Sequence, residues 1–388
     1  MDAAQLKQKF MDVYEGDAAG LRVFYAPGRV NLIGEHIDYN GGYVFPCALN
    51  FGTYGVARKR NDNTIRLVSG NIDAPVQVEL DTIKYDPAHD WANYPKGVVA
   101  EFIKLKHQIG GFDLYIWGNI PNGAGLSSSA SIEMLTAVVI NGLFNLDVPV
   151  KEMVLLCQRA ENKFVGVNCG IMDQYAVGFG KKQHALLIDC LNIEHKYVPF
   201  ALGQYKVVIT NTNKKHALGD SKYNERRAEC DEALRILRHE CGEISCLCDL
   251  SPEVFNRHSH MIKDKVVRNR AAHAVYENAR VSDAVNALTA GDLIRFGKLM
   301  NESHISLKDL YEVTCTELDV LAKAAWQAKG VLGSRMTGAG FGGCTVSIVD
   351  GDAADDFIQS VGAEYTHKTG ITADFYVAET GDGAKEIL

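Results

Sequence analysis

The chain has 388 residues, of which 47% are hydrophobic and 23% charged, values of a globular protein long enough for about two to three domains. Its formal net charge of -8 argues against nucleic acid or an acidic membrane surface as a partner, and an anionic substrate would need its charge met locally.

The opening MDAAQLKQKFMDVYEGD reads as a polar amphipathic helix. It lacks the basic stretch and apolar core of a secretory signal, so a cytoplasmic protein is expected. APGRVNLIGEHIDYNGG follows, from Ala26 to Gly42. It sets Arg29, Glu35, His36 and Asp38 among apolar Val30, Leu32, Ile33 and Ile37. A solvated loop does not need the apolar residues, and a core strand does not tolerate the charges unpaired. IRLVS ends at Ser69. In WANYPKG, Pro95 suits the first turn of a helix whose stripe runs from Val98 to Ile109 and stops at Gly110-Gly111. Phe112, Leu114 and Ile116 alternate with Asp113, Tyr115 and Trp117, which predicts a strand with one buried face.

GNIPNGAGLSSSASIE (118–133) then joins that strand to a strongly periodic helix beginning near Ser127–Ser129. Glycines, serine hydroxyls and the amides of a helix N-terminus together make an anion site. The helix dipole alone supplies only ~0.3–1 kcal/mol, so a metal ion is expected to assist. The alternative, a turn closed by a serine N-cap, stands equally on composition. No Gly-Lys-Ser/Thr follows, and Ser128 takes the third glycine position of a dinucleotide loop, so neither common nucleotide fingerprint applies.

A helix is predicted from about Lys151 to Phe164, on which Glu161 reads as a surface residue beside an apolar stripe. NCGIMDQYAVGFG (168–180) sets Asp173 among Ile171, Met172 and Val177, either as a turn aspartate or as a carboxylate poised as a base in a partly dry pocket. HALLIDC and YKVVIT read as strands, and the connection Val198–Gln204 is the best boundary, dividing the chain into 1–200 and 201–388. MTGAGFGGC (336–344) matches G-x-G-x-x-G, but the strand CTVSIV follows where a dinucleotide fold needs a helix. Its glycines predict a backbone pressed close to something. A helix around Phe357–Tyr365 and the strand ADFYVA complete an α+β pattern. Cysteines 241, 246 and 248 lack a second ligand pair at zinc spacing, so reduced structural thiols are expected. No apolar run reaches membrane-span length.

GRVNLIGEHIDYN resembles the signature segment of galactokinases. PNGAGLSSSA and MTGAGFGGC resemble the phosphate loop and C-terminal glycine motif of the wider GHMP small-molecule kinase superfamily. CGIMDQ, NTNKKHALGDSKYNERR and ENARV also resemble galactokinase segments, in the same order, so the likeness spans about Arg22 to Tyr376. The resemblance implies an N-terminal domain like ribosomal protein S5 domain 2, a C-terminal α+β (ferredoxin-like) domain, and a site between them.

It further implies transfer of the ATP γ-phosphoryl group to the anomeric hydroxyl of galactose. Glu35, His36, Ile37, Asp38, Gly170, Asp173 and Tyr223 would form the sugar pocket. Asp173 would act as base, with Arg29 beside it offsetting charge at the transferred group. Ser69 and the loop Gly123, Ala124, Gly125, Leu126, Ser127, Ser128 and Ser129 would bind ATP, and Ser129 and Glu161 would hold Mg2+. Glu133 is a second metal candidate, and Trp91 and Tyr94 are candidates to border the adenine, against core packing as the alternative. Galactose and ATP are the expected partners of a monomer.

Three positions depart from the family pattern: Ile37 for a common threonine, Ala339 for a glycine, and Leu310 for a frequent aspartate. Ile37 should point away from the sugar, and Ala339 should be tolerated unless its φ is positive. N-acetylgalactosamine kinase and a non-catalytic sugar sensor are the rival readings. The intact serine loop, Arg29 and Asp173 favour the enzyme.

Overall fold

The computed structural model describes residues 1–121, 125–214 and 219–387. In chain order the strands are β1 (Arg22–Asn31), β2 (Tyr43–Val44), β3 (Pro46–Lys59), β4 (Thr64–Ser69), β5 (Val76–Glu79), β6 (Phe112–Gly118), β7 (His184–Asp189), β8 (Glu194–Pro199), β9 (Tyr205–Asn211), β10 (Val331–Thr337), β11 (Cys344–Asp350), β12 (Asp374–Ala378) and β13 (Lys385–Glu386). The helices are α1 (Ala3–Val13), α2 (Asn93–Lys104), α3 (Ser128–Phe144), α4 (Val150–Ala160), α5 (Met172–Phe179), α6 (Gly219–Cys241), α7 (Pro252–His258), α8 (Lys265–Thr289), α9 (Leu293–Ser306), α10 (Thr316–Gln327) and α11 (Ala354–Thr369). The expected α+β class is observed.

Three sheets form: β13-β1-β3-β6-β4-β5, β2-β7-β8 and β10-β11-β9-β12. In the first, β4 runs parallel to β6, so Ser69 comes to the end of the sheet from which the chain leaves β6 toward the serine loop. The β1–β3 register shifts between Pro27 and Arg29, a bulge at Gly28 that brings the bulged backbone against the same loop. A Cβ at Gly28 would stand 2.9 Å from the Leu126 carbonyl, which instead accepts the Arg29 amide at 3.1 Å.

The outer face of β6, expected to meet solvent, is covered. Leu6, Phe10 and Tyr14 of the α1 region pack on Val23, Val56 and Tyr115, while Phe24, Ala57 and Leu114 face the opposite, main core. Asp113 is buried on the outer face because three arginines reach it: Arg66 Nε at 2.6 Å, Arg60 Nη1 at 3.1 Å and Arg58 Nη2 at 3.4 Å. The α2 helix ends at Lys104, before the predicted Ile109, since Lys106 takes a left-handed φ of 62° that breaks the helical path. The main core is continuous from Phe24 in the first sheet to Ile348 in the third.

Candidate active site

Arg29 and Asp173 are 144 residues apart in sequence and meet as a two-pronged pair. Arg29 Nε donates to Oδ1 and Nη2 to Oδ2, both at 2.8 Å, while Nη1 donates to the Gly125 carbonyl at 2.8 Å. The parallel fork fixes the plane of the carboxylate as well as its distance. Asp173 lies in the first turn of α5 rather than in a turn, and its charge is met by Arg29. Ser127 stands at the N-cap of α3, but its side chain caps nothing. Its φ of 60° turns the hydroxyl to donate to Asp173 Oδ2 instead. This displaces the serine N-cap reading and leaves first-turn amides of α3 without a side-chain partner, the condition under which a helix end binds an anion.

The segment from Leu32 to Gly42 is a succession of turns rather than a strand. Glu35 is buried, and its Oε1 accepts from Thr337 Oγ1 at 3.0 Å and the Gly338 amide at 2.8 Å. His36, at φ 61°, has both ring nitrogens engaged: Nδ1 with Tyr39 OH at 2.8 Å and Nε2 with the Ala339 carbonyl at 3.1 Å. Its ring packs at a tilt against Tyr223, at 5.5 Å, and Tyr311, at 5.0 Å. Burial lowers its pKa to about 3, so it is neutral. Ile37, placed with the pocket residues by resemblance, is wholly buried in the main core, and because the segment is not extended the strand alternation does not set its direction. Burial, then the Asp173 charge, pushes the Asp38 carboxyl up to about 6. Gly170 is glycine because the Asp38 carboxylate occupies the place a Cβ would take.

Glu161 corrects an expectation. Instead of lying on a helix surface it is 6% exposed, in a π-helical turn (Glu161–Val165) that follows α4. The face it occupies is closed by α3 and α5: Gln174 Nε2 donates to Glu161 Oε2 at 2.5 Å and to Glu133 Oε2 at 2.9 Å, and Ser129 also bonds Glu161. Burial and then Asp173 raise Glu161 to about 7, and burial with the Glu161 charge raises Glu133 as well. Glu133 Oε1 and Gln174 Oε1 are buried with no hydrogen-bond partner.

The third glycine loop presses on two neighbours. Gly338, at φ +85°, would set a Cβ 3.0 Å from the Gly125 carbonyl, and a Cβ on Gly340 would overlap the Val313 carbonyl. Ala339 is not among the positive-φ residues, so the departure there carries no strain. Leu310 gives its carbonyl to Arg270 Nη1 at 2.6 Å, and nothing in the structure explains why leucine stands there. Ser69 Oγ accepts from the Asn71 and Ile72 amides at 3.1 and 3.3 Å. Trp91 is packed in the core with its indole N–H on the Ala74 carbonyl at 3.2 Å. Gly123 and Ala124 lie outside the described residues.

Sequence reasoning passed over Tyr39, Gln174, Cys230, Arg335, Thr337 and Tyr311. Of these, Tyr39, Gln174 and Thr337 lie inside quoted motifs and Arg335 directly precedes one. Tyr311 and Cys230 arrive through packing of distant segments, which no local pattern signals.

The model for the galactokinase galactose-binding signature matches residues 8–59, that for the GHMP kinases N terminal domain 93–181, and that for the GHMP kinases C terminal 284–367. The galactokinase of Fusobacterium nucleatum is 56% identical over 94% of each chain, and that of Bacillus subtilis 53% identical over 99% of this chain and 98% of its own. The crystal structure of Lactococcus lactis galactokinase complexed with galactose superposes with a TM-score of 0.96 at 46% identity over 99% of each chain. Methanococcus jannaschii mevalonate kinase shares the fold, with a TM-score of 0.68 at 18% identity over 94% of this chain and 99% of its own. The chain therefore belongs to the galactokinase family of the GHMP kinases and is an ATP-dependent sugar kinase.

Proposed function

We propose that this protein transfers the γ-phosphoryl group of ATP to the anomeric hydroxyl of α-D-galactose, giving galactose 1-phosphate and ADP. The observation that carries the reading is the Arg29–Asp173 fork, bonded to Gly125 of the serine loop and near enough to Asp38 of the signature segment for the two carboxylates to repel. Asp173 takes the hydroxyl proton, work generally worth ~10²–10⁴ in rate. Arg29 holds that carboxylate in place and stabilises charge on the phosphoryl oxygens. The loop from Gly123 to Ser129 and the α3 amides receive the ATP phosphates, with Ser69 at the nucleotide. Glu35, His36, Asp38, Gly170 and Tyr223 enclose the sugar. His36 acts there through its ring face, since both nitrogens are engaged.

Mg2+ fits the remaining donors. The unpartnered oxygens of Glu133 and Gln174, beside the Glu161 carboxylate and the Ser129 hydroxyl, make a hard oxygen donor set. Among the described residues no three His, Cys, Asp or Glu side chains form a metal cluster, but magnesium commonly takes one or two carboxylates and completes its shell with water and phosphate. Ser129 and Glu161 would hold it, and its charge would neutralise the ATP phosphates. We also propose a cytoplasmic monomer, the reading the sequence favours. Among the described residues no helix is long and apolar enough to cross a membrane.

The test is ADP release with Mg-ATP across galactose, 2-deoxygalactose, N-acetylgalactosamine, glucose and homoserine, with product regiochemistry by phosphorus NMR. Turnover of galactose to the 1-phosphate with glucose inert supports the reading, since a site pairing each hydroxyl rejects a mismatch by up to ~10⁴–10⁵. Preference for N-acetylgalactosamine keeps the chemistry and changes the substrate. Galactose binding without turnover makes the protein a sensor and overturns the catalytic roles.

A further inference from the structure

Beneath the signature segment lies a hydrogen-bond circuit whose direction can be worked out donor by donor. A main-chain carbonyl only accepts, so His36 Nε2, 3.1 Å from the Ala339 carbonyl, carries the proton. A neutral imidazole has one N–H, so Nδ1 accepts, and Tyr39 OH donates to it at 2.8 Å. The Tyr39 proton is thus committed. The Tyr311 hydroxyl, 2.8 Å away, must donate to the Tyr39 oxygen. The Cys230 thiol, 3.1 Å from the Tyr311 oxygen, is then its donor. Asn40 Nδ2 closes the ring, donating to Cys230 Sγ at 3.6 Å and to the His36 carbonyl at 2.9 Å.

We propose that Tyr39 and Tyr311 are positioning residues that hold His36 as its Nε2–H tautomer and thereby latch the sugar segment onto the Ala339 loop. The alternative tautomer would set a lone pair against the Ala339 carbonyl and an N–H against Tyr39. Two consequences follow from the packing. The Ala339 loop abuts the serine loop at Gly338 and Gly125, so the latch fixes the sugar segment relative to the phosphate end of the site. The His36 ring also contacts Tyr223 and Tyr311 at tilts of 41° and 42°, packing that restricts its rotation.

The inference rests on the sugar-kinase reading for its effect on catalysis, but its core is a property of the unliganded protein and is read without turnover. With 15N-histidine labelling, long-range 15N–1H spectra of the wild type should show His36 with an unprotonated Nδ1 and a protonated Nε2 at pH 7, the signal assigned by its loss in His36→Gln. Tyr39→Phe removes the donor to Nδ1 and leaves selection of the tautomer to the Ala339 carbonyl alone, so a detectable share of the Nδ1–H form should appear. It should raise the galactose KM about tenfold, the scale of one lost hydrogen bond, with kcat changed by no more than about threefold. Tyr311→Phe keeps the donor at Nδ1 and should retain the tautomer with a smaller rise in KM. An Nδ1–H tautomer or an imidazolium in the wild type at pH 7 overturns the proposal, whatever the variants do. So does a Tyr39→Phe protein that is folded and unchanged in both tautomer and galactose KM. Failure to phosphorylate any sugar, with the predicted tautomer present, would instead count against the kinase reading.

Discussion

Arg29 spends all its guanidinium nitrogens on structure that matters to chemistry: two on Asp173 and one on the Gly125 carbonyl. With both oxygens of Asp173 already accepting, its value as a base depends on where it is held. Asp173→Asn keeps the shape but gives up proton acceptance and the fork. Turnover should fall by ~10²–10⁴ while galactose binding, measured by calorimetry, persists. Near-wild-type turnover would show that the base is elsewhere, as a loose transition state permits. Asp38 makes a different prediction. Its folded pKa is about 6 against an ordinary 3.8. Between those values the folded protein keeps a proton that the unfolded chain has lost, so this contribution to stability is full below about pH 4 and is lost as pH rises through 6. Asp38→Asn removes the dependence. Against the wild type it should gain thermal stability on going from pH 4 to pH 8, and lose galactose affinity. An equal shift in melting temperature at both pH values would mean that Asp38 is not the titrating group.

At the scale of elements, what could be read from sequence was what repeats. The strands at β6, β7, β9, β11 and β12 and the helix starting after Ser127 carry clean apolar periods, and the structure has them where expected. Three things were hidden. The second face of β6 looked solvated because Asp113 and Trp117 are polar or amphipathic, yet α1 and three arginines cover it. The helix stripe past Lys104 continued to Ile109 in sequence, but a single left-handed residue ended it. Glu161 read as exposed because a helical wheel sees one helix, and its partners sit on two others. The site itself was legible as motifs, whereas the Arg29–Asp173 pairing required the fold. The α1 cover gives its own prediction. Phe10 is fully buried against Tyr14 on the sheet face away from α3. Phe10→Ala should cost ~3–5 kcal/mol in denaturant unfolding and leave the galactose KM unchanged. A changed KM would mean that the outer face of the sheet reaches the site.

Across the whole molecule, the two ends of the sequence are stitched together at several places. The chain crosses from β8 to β9 at the proposed boundary after residue 200, yet β13 returns to pair with β1. Thr337 and Gly338 bind Glu35, and Arg335 of β10, wholly buried, donates to the Asn31 carbonyl at 2.9 Å and stands 3.4 Å from Glu35 Oε1. Replacing a buried pair wholesale by apolar groups can be neutral, but removing one partner strands the other charge, at ~3–5 kcal/mol. Arg335→Met is therefore expected to lower stability by about that amount, with Glu35 left in place among its two remaining donors. Because the main core runs through the first and third sheets without a break, the loss should move one calorimetric transition as a whole. If instead the variant melts in two steps, with one step at the wild-type temperature, the halves fold independently and the stitches between them serve only to align the sugar segment with the glycine loop.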